Sequence, residues 1–515
     1  MLARVFSGAI IGIDAVQVEV EVDMSLGLPY FNVVGLPDGA ARESKVRVIA
    51  ALKNQGFELP QKRITVNLAP AEIRKEGAAF ELPIALGVLA AAGQLDQKWL
   101  EPYLFGGELS LDGLVKPMKG ALPLALAAKA GRFKGVIIPH ANAEEAALVT
   151  RLDVFPVRRL REAFEHVTGI APLAPYLRKE SLRTAGSADS LVGDFNEVRG
   201  QSDIKVALEL AAAGGHNVLM CGPPGSGKTM LAKRLPGILP EMSLQEAVEV
   251  TKIYSVLGLL QEGQSLVTTR PFRSPHHTIS DAGLVGGGPS TRPGELSMAH
   301  NGVLFLDELP EFRKNVLEVL RQPLEEGAIH LARANQNITY PCRVMLVAAM
   351  NPCPCGYFNV RDRQCVCSPQ RVMDYHTRVS GPLLDRIDIT LQTRPVEYAQ
   401  WADPDHTEKP STYHQHRVEA ARARQRFRFK DTETIHCNAQ MLPVQMAEHC
   451  QLEASTERFL RQAVERFGHS ARAYNRILKL ARTRADLENH PHIQEGDLRI
   501  AIDCRILDRR GWLHP

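Results

Sequence analysis

A glycine-rich run near the middle of the chain has the residue types and the spacing that bind phosphate groups. Its sequence is GPPGSGKT, which matches G-x-x-x-x-G-K-[ST], and it follows the apolar run HNVLMCG. In such loops backbone N–H groups surround the phosphates, the lysine reaches the outer phosphates and the hydroxyl binds Mg²⁺. The residues predicted to bind ATP here are Gly222, Pro223, Pro224, Gly225, Ser226, Gly227, Lys228 and Thr229.

Two further apolar runs end in polar residues that suit ATP hydrolysis. NGVLFLDE ends in Asp307 and Glu308, which we expect to hold Mg²⁺ through water and to polarise the attacking water, respectively. RVMLVAAMN ends at Asn351, and a polar residue at the carboxyl end of a buried parallel strand lies at the ligand crevice. Asn351 is therefore a candidate for orienting the attacking water. A turn cap before Pro352 is the simpler alternative.

Arginines in the second half of the chain are candidates for stabilising the charge of the transferred phosphate. Arg386 lies between two aspartates in SGPLLDRIDI, where it would either complete the site of a neighbouring subunit as an arginine finger or form a surface salt bridge. Arg378 is a second candidate for that role. Arg472 lies near the start of a predicted helix, where it would face the γ-phosphate or remain a solvated charge.

Four cysteines directly follow the third apolar run as two C-x-C pairs. They are Cys353, Cys355, Cys365 and Cys367. Four thiolates suit a tetrahedral Zn²⁺, although C-x-C is tighter than the common C-x₂-C spacing. A reducing cytosol disfavours a disulfide clamp. Thiols packed without a metal and a redox switch remain open alternatives.

The composition is that of a soluble globular protein with room for two or three domains. Of the 515 residues, 44% are hydrophobic and 23% are charged, and the net charge is +3. So small a charge excludes an overall polybasic surface, and any DNA contact would come from local patches. The sequence has neither an apolar stretch of membrane-spanning length nor a signal-peptide pattern. We therefore expect a cytoplasmic protein without a membrane partner.

The sequence pattern divides the chain into four parts. Residues 1–168 alternate strand-like and helix-like patterns, and residues 169–195, rich in Pro, Gly and Ser, predict a linker. Residues 196–395 alternate buried strands with helices, which predicts an α/β domain with a parallel sheet. Residues 396–515 predict a helical lid at the carboxyl end.

The complete motif set resembles the AAA+ ATPases of the magnesium-chelatase-like branch, and within it the YifB/ComM group. The segments that carry the likeness are GPPGSGKT, FLDEL, AAMNP, LLDRIDI and SARAYNRILKLARTRADL. The resemblance implies a ring, with a homo-hexamer expected, that hydrolyses ATP between subunits. It makes Arg386 the arginine finger and Arg472 the sensor-2 arginine. It also implies a DNA helicase that acts on single-stranded or branched DNA and promotes branch migration during recombination in natural transformation.

The amino-terminal part resembles the Lon-protease domain, an α+β fold of the ribosomal S5 domain 2-like type. Peptide cleavage on that fold needs a serine nucleophile and a lysine base. The corresponding positions here are Ala79 and the neighbourhood of Leu122. We therefore expect a degenerate domain that serves as a scaffold or a binding module, and no peptide substrate.

The resemblance also suggests where DNA would bind. The segment GAIHLARANQNITYPCRV predicts a β-hairpin that turns near residues 334–335, and in related rings such a hairpin points into the pore. Arg333, Asn335 and Gln336 would then contact phosphates, which give affinity without sequence information. Two other functions remain open, namely the ATPase subunit of a metal-chelatase-type complex and a nucleotide-dependent scaffold without helicase activity.

Overall fold

The structure is a computed structural model, and it describes most of the chain. The described residues are 1–73, 75, 78–178, 193–261, 263–288, 291–333, 336–360, 363–395, 408–432, 435–467 and 471–505. Most of the predicted linker, the hairpin tip with Asn335, and the first residues of the predicted lid lie outside these ranges. The structure also does not describe the side chains of Arg333 and Gln336.

The described strands and helices alternate along most of the chain. The strands are β1 (Leu2–Ile11), β2 (Asp14–Ser25), β3 (Tyr30–Val34), β4 (Arg63–Ala69), β5 (Tyr103–Phe105), β6 (Glu108–Leu109), β7 (Val115–Lys116), β8 (Gly135–Pro139), β9 (Asp153–Val157), β10 (Val218–Cys221), β11 (Phe272–Arg273), β12 (Gly286–Gly287), β13 (Arg292–Pro293), β14 (Val303–Leu306), β15 (Ala328–Arg333), β16 (Gln336–Pro341), β17 (Met345–Met350) and β18 (Ile389–Gln392). The helices are α1 (Asp38–Asn54), α2 (Glu81–Ala91), α3 (Ala121–Ala130), α4 (Ala143–Ala146), α5 (Leu160–Thr168), α6 (Ser202–Gly214), α7 (Lys228–Arg234), α8 (Leu244–Leu257), α9 (Asp281–Val285), α10 (Glu295–Met298), α11 (Lys314–Glu318), α12 (Arg321–Glu326), α13 (Pro369–Thr377), α14 (Gly381–Leu384), α15 (Ser411–Arg428), α16 (Pro443–His449), α17 (Ala454–Phe467), α18 (Ala471–Leu487) and α19 (Glu495–Asp503). None of the helices in the described part of the chain is both long and apolar enough to cross a membrane.

The first of two compact units consists of Met1–Leu182 together with Leu244–Val267. Seven of its described strands form one sheet in the order β3-β4-β2-β1-β5-β8-β9. The run AVQVEVEVDM alternates apolar and polar residues, and the strand that this pattern predicts over Ala15–Met24 is confirmed as β2, in which every second residue from Val18 to Met24 is buried. The apolar run FELPIALGVLAAAGQL predicts a helix, which is confirmed as α2, all of whose residues are buried. This mixed α+β layer is compatible with the expected fold class.

Helix α8 belongs to this first unit, although the sequence pattern had grouped it with the residue range 196–395. Its buried residues include Ala247, Val250 and Ile253. Near its end, the Ser255 hydroxyl donates to Glu145 at 2.6 Å in a buried position. Burial raises the pKa of Glu145, and the hydrogen bonds from Ser255 and Asn142 oppose that shift. The contact between Ser255 and Glu145 thus fixes the end of α8. No local sequence pattern predicts it.

Replacing Ser255 with alanine should loosen α8, because Glu145 would lose a buried hydrogen-bond donor. Such a loss costs about 1–3 kcal/mol. We expect faster hydrogen exchange in the amides of residues 244–257, measured by mass spectrometry on the full chain. The exposed Ser455, in α17, provides the matched control, and Ser455→Ala should leave the exchange of α8 unchanged. Equal exchange in the wild-type and Ser255→Ala proteins would show that this contact does not hold the helix.

The second unit contains a five-stranded parallel sheet in the order β11-β14-β17-β10-β18. The predicted apolar runs are confirmed as β10, β14 and β17, which are buried along their whole length. In the register of the sheet Cys221 pairs with Met350, and Leu306 pairs with Ala348. The residues that follow these three strands therefore emerge at the same carboxyl edge.

The described carboxyl-terminal part is helical, as predicted. Helices α17 and α18 have the bounds 454–467 and 471–487 that their sequence patterns predict, whereas α15 begins at Ser411, five residues before the start that the pattern predicts at residue 416. Helix α18 packs against α6, next to the parallel sheet. Buried Asp486 accepts hydrogen bonds from Arg428, Arg482 and Asn438, and this charged cluster joins α15 to α18. A buried carboxylate with several donors is satisfied in the way that burial requires.

Candidate nucleotide-binding site

The loop between β10 and α7 has the backbone shape that phosphate binding requires. Gly225 and Gly227 have positive φ angles of 78° and 84°, a conformation that favours glycine. A Cβ at either position would have no neighbour within 4 Å, so the loop is open there. Gly222 differs, because a Cβ there would lie 2.1 Å from the Thr393 hydroxyl. Glycine at position 222 therefore permits the close approach of the segment that follows β18.

The side chain of Lys228 lies inside this loop. Its ammonium donates to the carbonyls of Gly222 at 2.7 Å and Pro223 at 3.0 Å, and to the side-chain oxygen of Asn351 at 3.2 Å. Burial lowers the pKa of Lys228, and the nearby carboxylates Asp307 and Glu308 act in the opposite direction. The structure thus brings the predicted lysine and the predicted Asn351 into direct contact.

Asp307 joins the loop to the adjacent strand. The Thr229 hydroxyl donates to the Asp307 carboxylate at 2.7 Å, so the two predicted Mg²⁺-binding side chains are already neighbours. A hydroxyl and a carboxylate are oxygen ligands of the kind that Mg²⁺ prefers, together with waters and substrate phosphates. The arrangement therefore fits a magnesium ion held between Thr229 and Asp307.

Glu308 is held in an unusual backbone conformation beside this pair. Its φ angle is +52°, which costs a residue with a side chain about 1 kcal/mol or more. Its backbone N–H donates to Asp307 at 3.0 Å. Its side chain is 56% exposed, and its carboxylate lies 3.7 Å from Nδ1 of His277. Backbone strain of this kind is concentrated at functional sites, and here it leaves the carboxylate accessible at the edge of the sheet.

Two more residues lie at this site. The sequence favours packing or nucleotide-linked signalling for His277 and does not select Thr393. No sequence pattern pairs His277 with Glu308, because 30 residues lie between them. The hydroxyl of Thr393 lies 2.8 Å from that of Ser226 and fixes the loop from its other side. The only signal for Thr393 was its place after a buried strand, the same position that identified Asn351.

Arg386 lies away from the loop of its own chain. Its backbone carbonyl accepts from the side chain of Asn217 at 2.8 Å, and Asn217 precedes β10 whereas the loop follows it. A four-residue strand spans roughly 13 Å, so Arg386 lies at the amino edge of the sheet. Its guanidinium contacts Glu325 and donates to the carbonyl of Pro382 at 3.1 Å. Its Nε is buried and has no hydrogen-bond partner among the described residues.

Arg472 lies at the same edge as Arg386. Its guanidinium contacts the carboxylate of Asp385, the residue directly before Arg386, and its side chain is 71% exposed. One turn further along α18, Arg476 lies 3.6 Å from Asp388. The structure therefore brings Arg472 together with Arg386 and not with Lys228. The candidate residues form two groups, one at each edge of the sheet.

The four predicted cysteine ligands come together in space. Their sulfur atoms all lie within 4.8 Å of one another. Hydrogen bonds from the backbone of Val366 and Tyr357 and from neighbouring thiols outweigh burial, which acts in the opposite direction, and lower the pKa of Cys355 to about 6. The donor set and its spacing are compatible with Zn²⁺, whose structural sites use four such ligands.

Three family models match most of the chain. The family described as magnesium chelatase, subunit ChlI, matches residues 194–401. The family described as subunit ChlI of Mg-chelatase matches residues 20–142, and its carboxyl-terminal family matches residues 408–505. These matches and the parallel sheet with its loop define an AAA+-type ATPase, a class that uses ATP and Mg²⁺.

Relatives that match over nearly their full length identify the family within this class of ATPases. The chain is 42% identical over 512 residues to competence protein ComM of Haemophilus influenzae, which covers 99% of this chain and 98% of that protein. It is 41% identical over 512 residues to protein YifB of Salmonella typhimurium, with the same coverage. The chain therefore belongs to the YifB/ComM-type magnesium-chelatase-like family. A shorter likeness, 29% identity over 129 residues, links 25% of the chain to 23% of Lon protease 2 of Bacillus subtilis.

Proposed function

We propose that this protein is an ATP-driven, ring-forming DNA translocase or helicase that promotes branch migration during recombination in natural transformation. The observation that carries the proposal is the separation of Arg386 from the phosphate-binding loop within one chain. The proposed role in natural transformation is supported by the likeness, over nearly the full length of both chains, to a relative named as a competence protein. We place the protein in the cytoplasm, where chromosomal recombination takes place.

In the proposed reaction Lys228 contacts the outer phosphates of ATP, and Thr229 and Asp307 hold Mg²⁺. The metal ion, when bound, neutralises charge on the phosphate oxygens. Glu308 accepts hydrogen bonds from the attacking water and polarises it, while Asn351 orients it. The hydrogen bond between Lys228 and Asn351 supports this arrangement, because it holds both side chains within reach of one phosphate group.

The different residues at the two edges of the sheet support a ring. The loop and Glu308 lie at the carboxyl edge, whereas Arg386 and Arg472 lie at the amino edge, so one chain offers two different halves of a site. Head-to-tail contact between two different surfaces generates a closed ring when the rotation from one subunit to the next closes. We infer that both arginines act on ATP held by the adjacent subunit, in a homo-hexamer. The contact of Arg472 with Asp385 supports their joint action.

The first unit is proposed to be a scaffold or binding module and not a protease. Position 79 is alanine, and Leu122 is fully buried, so neither position offers a nucleophile or a base. The hairpin of β15 and β16, paired from Ala328 with Pro341 to Arg333 with Gln336, is the proposed DNA contact in the pore. The names of the matching families favour one alternative function, the ATPase subunit of a metal-chelatase-type complex.

The proposal predicts that DNA stimulates ATP hydrolysis. We expect single-stranded or branched DNA to raise the ATPase rate several-fold and ATP to drive strand displacement on a forked substrate. The control is Lys228→Ala, which removes the buried ammonium and should abolish both activities. A chelatase-type ATPase or a scaffold would show no response to DNA. An ATPase that is active but unaffected by every DNA form would therefore overturn the translocase proposal.

A further inference from the structure

We propose that Cys353, Cys355, Cys365 and Cys367 bind one Zn²⁺ and that the zinc-bound segment braces the phosphate-binding loop against the end of β17. We call residues 352–368 the cysteine loop. The metal site stands on its own geometry, whereas the bracing rests on the proposed nucleotide site. The two parts are therefore tested separately below.

The sulfur positions fit a tetrahedral metal site better than a disulfide. The Sγ of Cys353 lies 3.3 Å from that of Cys355 and 3.7 Å from that of Cys365, and the last two lie 3.6 Å apart. Zinc–sulfur bonds of about 2.3 Å place the ligands of a tetrahedron about 3.8 Å apart. A disulfide bond is about 2.05 Å long. The observed spacings lie close to the first value and far from the second.

The backbone around the cluster supports negatively charged sulfur. The N–H of Phe358 donates to the Sγ of Cys353 at 3.3 Å, and that of Cys367 donates to the Sγ of Cys365 at 3.4 Å. Such hydrogen bonds orient metal ligands and stabilise their charge. When Zn²⁺ binds, each thiol releases its proton to solvent and its sulfur forms a bond to the metal.

The cysteine loop has little apolar packing to hold it in place. Cys353 is fully buried, but Val366 is 83% exposed, and the other three cysteines are half-buried. Between β17 and α13 the described residues contain no helix or strand. A segment of this kind needs a cross-link to keep one shape, and a structural metal provides such a link.

The cysteine loop contacts the phosphate-binding loop at Gly356 and continues directly from Asn351 at its first residue. Gly356, with a φ angle of +87°, approaches the ring of Pro224 so closely that an added Cβ would lie 2.6 Å from its Cδ. At the start of the loop, the carbonyl of Pro352 accepts from His376 at 2.9 Å. Pro352 directly follows Asn351, which contacts Lys228. Gly356 of the cysteine loop thus supports the phosphate-binding loop, and Pro352, its first residue, anchors Asn351.

The metal half is tested by elemental analysis of the full chain purified without chelators. We expect on the order of one Zn²⁺ per chain and the loss of at least half of it in Cys365→Ser. The matched control is Cys450→Ala, which removes a buried thiol outside the cluster and should retain the metal. Should the serine variant fail to fold, cobalt substitution of the wild type reports thiolate ligation by its absorption. Wild-type protein with no zinc and no cobalt–thiolate absorption would overturn the metal site.

The bracing half is tested with Gly356→Ala, which keeps all four sulfurs but presses a methyl group on Pro224. We expect unchanged zinc and a tenfold or larger loss of ATPase rate, because small misplacements of a site carry penalties of about this size. Binding of a fluorescent ADP analogue should weaken in parallel, and this readout does not depend on ATPase activity. Gly93→Ala is the control, since Gly93 has a similar φ angle of +80° and an added Cβ there meets nothing within 4 Å. Normal nucleotide binding and turnover in Gly356→Ala would refute the brace and leave the metal site standing.

Discussion

Glu308→Gln should reduce ATP turnover by at least about 10²-fold while leaving ATP binding nearly unchanged, because a positioned acid–base group contributes about 10²–10⁴-fold. The amide keeps the size of the side chain but no longer polarises water. The Thr229–Asp307 contact and the backbone of the loop, which hold the nucleotide, do not involve the Glu308 side chain. Turnover is measured by steady-state phosphate release, and binding by fluorescence of an ATP analogue.

The matched control for this substitution is Glu311→Gln, three residues further along. Its carboxylate pairs with Arg378 at 3.2 Å and is half-exposed, and exposed ion pairs contribute little. We expect at most a twofold change in turnover. If Glu308→Gln keeps more than about a tenth of the wild-type rate, well short of the expected loss, Glu308 does not activate the water.

Arg386→Ala should be the second most damaging change, with a loss of at least about 10²-fold in ATPase rate, since arginine fingers contribute 10³–10⁵-fold in related reactions. The variant should still bind ATP, because its own loop is intact and distant. Because the lost group is proposed to serve the adjacent subunit, the defect should persist at any protein concentration that forms rings. Phosphate release measured across a concentration series tests this expectation.

Arg499→Ala controls for the loss of an arginine as such. Arg499 is 66% exposed and pairs with Glu495 one turn away, so its removal should leave turnover within twofold. A milder effect of Arg386→Ala, comparable to that of Arg499→Ala, would show that the guanidinium only forms the salt bridge with Glu325. That bridge was the alternative interpretation of its sequence context.

The sequence predicted best the site residues that follow buried strands. Continuous apolar runs predicted β10, β14 and β17. The glycine-rich motif after the first run identified Lys228, and the ends of the other two runs identified Asp307 and Asn351. This works because parallel strands deliver their carboxyl ends to one edge. The structure then adds only the distances between the side chains at that edge. The same reasoning assigns no partner to His277, because a loop residue has no period that fixes where it lies.

Three features required the structure. Helix α8 lies between two segments of the second unit in sequence, and its place in the first unit depends on the pairing of Ser255 with Glu145, a contact across 110 residues. The position of Arg472 beside Asp385 depends on how α18 packs, and the helix pattern alone placed it near the γ-phosphate. The contact between Gly356 and Pro224 joins two loops, and nothing in either local sequence announces it.

A mixing experiment tests the shared site most directly. Lys228→Ala lacks the loop lysine but offers Arg386, whereas Arg386→Ala offers an intact loop but no finger, and each alone should be inactive. In mixed rings with head-to-tail interfaces, a random 1:1 mixture completes about a quarter of the sites. We therefore predict that phosphate release recovers to roughly that fraction of the wild-type rate in the mixture. No recovery in rings shown by native mass spectrometry to contain both variants, or full activity of Arg386→Ala alone, would contradict the account.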